Sequence, residues 1–245
     1  MTTMIVGLDC ATDPTKTGLA LATWNGQRTQ VLRIGVGTPD EPIVQTLLRW
    51  LPAEQPALLA IDAPLGWPAA FGRNLAQHQA GETIENAAET LFRRQTDQFV
   101  KQLVGRQPLD VGADRIARTA HAALRLLGEL RRLTGQPIPL AWSPSIQGIA
   151  AIEVYPAGTL TACGLPASGY KKSGQTDTRS EILTGLRQHL TLCEDVSLPL
   201  ADADALDALV CVLAGADFLS GKSLPPPEPE RARKEGWIWI RRPLQ

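Results

Sequence analysis

Two apolar runs that each end on a single aspartate constrain this chain more than anything else in it. Met4 to Leu8 delivers Asp9, and Ala57 to Ile61 delivers Asp62. Short apolar runs bounded by turn residues read as buried strands. An acid at the end of such a strand is costly to desolvate, so it needs a cation, hydrogen-bond donors or water. A polar turn rich in Thr, Asp and Pro follows Asp9, and Gly18–Trp24 returns as the second arm of a β-hairpin. A plainer reading of Asp9 is that it bonds the turn amides around Thr12–Thr15.

The order of the next segments bears on both acids. Thr29–Val36, with β-branched Val31, Ile34 and Val36, reads as a third strand, and short links make the first three antiparallel. Pro39-Asp40-Glu41-Pro42 opens a helix over about Ile43–Leu51, with Ile43, Leu47, Leu48 and Leu51 on one face. A strand reached through a helix is most simply parallel to an earlier one, by a right-handed crossover. If Ala57–Asp62 pairs with the first strand, Asp9 and Asp62 stand side by side. Sites in such sheets form beyond the carboxyl ends of the strands. Paired like charges there are expensive unless a cation lies between them.

Residues from about 71 to 145 read as a mainly helical insertion. Its first helix, about Ile84–Val104, turns Leu91, Phe92, Phe99 and Leu103 inward. Spacing alone makes Arg93, Arg94 and Asp97 ordinary helix salt bridges. The second helix, about 113–134, carries Arg115, Arg118, His121, Arg125 and Arg132 on one face. That is either a phosphate-tracking stripe or a solvated surface. Asp114 and Glu129 on the same face favour the latter.

Beyond the insertion, Ile149–Tyr155 reads as a buried strand whose acid, Glu153, either faces water at an edge or stands beside the site. Tyr170-Lys171-Lys172-Ser173-Gly174 is a loop with two cations, able to clamp a phosphate or partner an acid. A helix over about Asp177–Leu192 puts Arg179 in its first turn, the unfavourable end for a cation. In Ala201–Leu219, Asp202 is a candidate N-cap, and Asp204 and Asp207 project from one face. First-turn placement accounts for Asp202 and Asp204, but less well for Asp207, which lies a full turn in among Ala and Leu. Pro225–Pro229 reads as a stiff linker, and Gly236–Ile240 as a last short strand.

Composition narrows the chemistry. A chain of 245 residues suits a single domain carrying one large insertion. A net charge of −1 gives no overall pull towards nucleic acid or acidic membranes, though a local patch can still act. The four cysteines form no C-x-x-C pair, and the three histidines have no zinc spacing. Any metal would be a hard, oxygen-ligated ion such as Mg²⁺ or Mn²⁺. The N-terminal stretch has no basic segment leading an apolar one, and no run approaches the roughly 20 apolar residues of a membrane span. A reduced, cytoplasmic protein is expected.

The segment order, with acids closing the first and fourth strands and recurring in a late helix, resembles the ribonuclease H-like fold. That implies an α/β architecture with a mixed five-stranded sheet flanked by helices. Asp204-x-x-Asp207 before Ala-Leu is similar to the terminal helix of Holliday-junction resolvases. More closely, GLDCA, AIDAPLGWP, RRQTD, VYPA, DALDALVC and EGWI together resemble the uncharacterised domain family 429 (DUF429), described as predicted nucleases of that fold. The resemblance implies a carboxylate cluster holding one or two Mg²⁺ or Mn²⁺ ions for phosphodiester hydrolysis of a nucleic acid or nucleotide. Asp9, Asp62, Asp204 and Asp207 match the superfamily's acids, with Glu153 a further candidate metal ligand. Lys171, Lys172, Arg179 and Arg94 are candidate phosphate contacts. The chain departs from ribonuclease H proper in having no acid inside its first helix, where Asp40 and Glu41 only precede it. It departs from resolvases in carrying Asp rather than Glu on the fourth strand. Two alternatives share the Asp-ended hairpin or the fold: a sugar-kinase- or actin-like phosphotransferase, for which this chain is short and lacks a glycine-rich adenosine loop, and a non-catalytic binding module.

Overall fold

The computed structural model describes residues 2–51, 55–112 and 114–243. Its centre is a mixed sheet of five strands: Thr3–Asp9 (β1), Gly18–Trp24 (β2), Thr29–Val36 (β3), Ala57–Asp62 (β4) and Ile149–Glu153 (β5), in the order β3-β2-β1-β4-β5. The first three are antiparallel neighbours, while β4 runs parallel to β1 and β5 parallel to β4. This is the mixed five-stranded sheet flanked by helices that the order of segments implied.

Side chains alternate along β1 between two apolar layers, as the period of a strand requires. Ile5 packs on one side with the late helix, and Val6 and Leu8 pack on the other with Leu47 of Ile43–Trp50 (α1). Between β4 and β5 lie Ala69–Leu75 (α2), Ala88–Phe92 (α3), Gln95–Val104 (α4) and Asp114–Thr134 (α5). The expected start of the last of these, at Ala113, falls outside the described residues. After β5 come Pro156–Ala162 (α6), Thr176–Leu186 (α7), Ser197–Ala201 (α8), Ala203–Leu219 (α9) and Pro229–Glu235 (α10). Every residue of α9 from Ala205 to Leu219 is buried, which explains its almost unbroken apolar and small composition. None of the described helices is long and apolar enough to cross a membrane.

Helix α9 lies close on the sheet because two glycines allow it. A Cβ at Gly7 would overlap the backbone carbonyl of Ala208, and one at Gly18 would overlap that of Asp204. The helix backbone therefore rests against the strand backbone on either side of Asp207.

Five expected elements differ. The helix read over 84–104 breaks at Arg93–Arg94, because Arg94 takes an extended conformation and its N–H donates to the Asp97 carboxylate, capping α4. The helix read over 177–192 ends at Leu186, and the chain then turns to pair Thr191 with the β3 edge through Val31 and Thr29. Asp202 caps α9 as expected, accepting from the amides of Asp204 and Ala205, but it also separates α8 from α9. The last strand reduces to isolated bridges. Ile238 bridges to Glu153 in parallel and Ser223 to Arg241, while Trp237–Ile240 are buried. Pro229 starts α10 rather than extending the proline linker.

Candidate active site

The parallel pairing of β1 with β4 sets Asp9 directly opposite Asp62 at the carboxyl end of the sheet. Asp207 reaches the same point from the second turn of α9. One carboxylate oxygen from each of Asp9, Asp62 and Asp207 lies within 4.8 Å of the other two. The acids thus come from three distant segments, one from each central strand and one from the helix covering them.

Asp207 is fully buried and held on two sides. The Tyr170 hydroxyl donates to its Oδ1 at 2.7 Å, and the Lys171 ammonium lies 2.5 Å from its Oδ2. The lysine meets Oδ2 as a charge-assisted donor and counters the rise in the Asp207 carboxyl. The loop carrying both residues is tied down by buried Arg179, which donates to the carbonyls of Leu200 (2.6 Å), Tyr170 (2.6 Å) and Lys172 (3.3 Å).

Three carboxylates facing one ammonium are short of positive charge. Burial pushes the Asp9 carboxyl up to about 9, with further contributions from Asp62 and Asp207. Burial lifts Asp62 to about 7, with Lys171 opposing and Asp207 adding. Asp207 is also raised by burial, against the pull of Lys171. Lys171 is held more firmly charged than usual, because Asp207, Asp9 and Asp62 outweigh the effect of its burial. Without a further cation the cluster holds protons.

This donor set fits a hard divalent cation. It is all oxygen, anionic and convergent. Asp9, Asp62 and Asp207 are the residues that would hold one.

The family model described as "Protein of unknown function (DUF429)" matches residues 7–231, from β1 into α10. The chain belongs to the DUF429 family. Among solved structures, T. thermophilus RuvC in complex with Holliday junction substrate is similar at a TM-score of 0.39 and 11% identity, over 91% of this chain and 99% of that one. No curated protein matches.

Other expected site residues of this DUF429 chain fall elsewhere. Asp204 sits one turn before Asp207, half-buried, and adds to the charge that raises Asp9. Lys172 is exposed and meets the site only through its backbone. Arg179 is a loop anchor rather than a phosphate contact, since burial and its carbonyl partners occupy it. Glu153 is not placed as a metal ligand: its Oε1 accepts from Arg94, and its Oε2 from Arg94 and the Leu65 amide. Arg94 is not placed as a phosphate contact either. Its guanidinium makes five hydrogen bonds, two to Asp97, two to Glu153 and one to the Glu235 carbonyl, so all its N–H donors are engaged. Tyr170 is the residue that sequence reasoning passed over, because the loop was read for its lysines.

The protonated cluster sets a pH dependence. Asp9 binds its proton more tightly folded than unfolded, so folded DUF429 protein carries the extra proton between about 4 and about 9. Stability then falls as pH rises through that window. In chelator, melting temperature should decline from acid to alkaline pH, and saturating Mn²⁺ should flatten the decline by replacing the protons. A metal-free protein whose melting temperature does not fall across this window would contradict the charge state described.

Proposed function

We propose that this protein is a divalent-cation-dependent hydrolase that cleaves a phosphodiester in a nucleic acid or nucleotide. The observation that carries the reading is the convergence of Asp9, Asp62 and Asp207 at the carboxyl edge of a ribonuclease H-like sheet. When bound, Mg²⁺ or Mn²⁺ supplies polarisation of a phosphoryl oxygen and a lowered pKa for attacking water. The chain's own residues do the rest. Asp9 and Asp62 would hold the cation from the strands, and Tyr170 orients the Asp207 carboxylate, a second layer of the kind that tunes metal sites. Lys171 pairs with Asp207 from a half-exposed loop position and would offer positive charge to a phosphate beside it. Pro108, Leu109 and Ile116 of the insertion line the cleft that holds the acids. The cysteines Cys10, Cys163, Cys193 and Cys211 are free, in keeping with a reducing cytoplasm.

The test is a cleavage assay on single-stranded and duplex DNA and RNA, and on dinucleotides. Cleavage should require Mg²⁺ or Mn²⁺ and stop in chelator. Protein that cuts none of these with either ion would refute the reading.

A further inference from the structure

Two clefts adjoin at Cys10, which lines both. The smaller, about 260 Å³, contains Asp9, Asp62 and Lys171 and is walled by the insertion. The larger, about 650 Å³, lies between α5 and the turn that follows β1. Helix α5 runs along both: Ile116 and Thr119 face the acid cleft, and Arg118, His121 and Arg125 face the larger groove. The basic face in the sequence is therefore divided, and three of its residues line a cavity next to the acids. The floor of that cavity is apolar, with Ile43, Val44 and Leu126. Arg118, His121 and Arg125 are exposed, and among the described residues neither arginine is in an ion pair. Glu129 is the one acid in its lining, and it lies 4.0 Å from Arg132.

We infer that the groove along α5 holds the unpaired nucleotide flanking the scissile phosphate, so that the substrate is a single strand rather than a continuous duplex. This rests on the hydrolase reading above. Its volume falls in the range of cavities that enclose small organic ligands, which suits a base and sugar. Two unpaired guanidiniums at its rim complement a phosphate backbone, and an apolar floor accepts a base without reading its edges. The acid cleft supports the same conclusion. Asp207 is wholly buried, and the cleft over the cluster is small, about 260 Å³. A free strand can fold its sugar and phosphate into a cleft of that size at less cost than a strand held in a stiff duplex.

The test uses full-length Asp207→Asn protein, in which cutting is suppressed, and fluorescence anisotropy with labelled oligothymidylate or its duplex with oligoadenylate. The single strand should bind at least about tenfold more tightly than the duplex. Arg118→Glu/Arg125→Glu should weaken single-strand binding about ten- to a hundredfold and flatten its salt dependence. Arg28→Glu/Arg33→Glu makes the same charge change at exposed positions outside the groove and should shift binding less than about twofold. Equal binding of duplex and single strand, or equal weakening by both double variants, would overturn the inference. The two readings fail separately. Wild-type protein that cuts duplex as fast as single strands leaves the hydrolase standing and removes the single-strand assignment. Protein that cuts nothing removes the hydrolase, and the anisotropy still decides whether the groove takes a strand.

Discussion

Asp207→Asn should lose at least about 100-fold in Mn²⁺-supported cleavage while keeping its fold. Removing a partner of a metal ligand costs about 10–100-fold, so removing a ligand should cost more. The fold should survive for local reasons. The amide oxygen of Asn still accepts from Tyr170, and the variant removes a charge that repels Asp9 and Asp62. Lys171 loses its partner, but its side chain is 56% exposed and can turn to water at little cost. Without added cation, wild type and variant should melt at similar temperatures. With Mn²⁺ at about 100 times its dissociation constant, wild type should gain ~2.7 kcal/mol, or roughly 5–11 °C, and the variant almost nothing. A variant that cleaves at the wild-type rate, or keeps the cation-induced rise, would exclude Asp207 as a ligand.

Arg94→Ala should instead damage the fold. Its guanidinium lies between Asp97 and Glu153, with both carboxylates and the arginine buried. Breaking a buried pair by removing one partner costs about 3–5 kcal/mol, because the charge left behind is uncompensated. For a chain of this length that is a drop of roughly 6–20 °C in melting temperature. The same site joins α4, β5 and the start of the C-terminal segment, through Gln95 to Glu235 and Ile238 to Thr96. Loss of Arg94 should therefore loosen the insertion as well as the sheet edge. A phosphate-binding role predicts the opposite pattern, with unchanged melting and a raised KM, and that outcome would restore the reading taken from the sequence.

The contrast between these two residues shows what was legible. The bounds of β2, β3 and β4 match those read from alternation and turn residues, which are local signals. Asp9 beside Asp62 was expected if the fourth strand paired in parallel with the first, and it does. Asp207 stood out because no local rule explains an acid a full turn into an apolar helix. Arg94 was named as a candidate phosphate contact and its pairing with Asp97 was read from spacing, but its burial against Glu153 was not legible, for the converse reason. The apolar period of Leu91, Phe92, Phe99 and Leu103 runs unbroken through it, and the partner that draws it inward, Glu153, lies 59 residues away. Arg179 was singled out for opposing the helix dipole, correctly as an oddity. Its partners are backbone carbonyls, which sequence does not display. The end of α7 was misjudged because Leu190 keeps the helical spacing, while the chain leaves the helix to reach β3.

The close seating of α9 gives two residues with no functional group control over the chemistry. Gly7 and Gly18 act as a spacer of zero thickness between helix and sheet. One methyl at either would lift the helix and carry the Asp207 oxygens away from those of Asp9 and Asp62. The spacing of the three carboxylates is governed from behind by atoms that are missing.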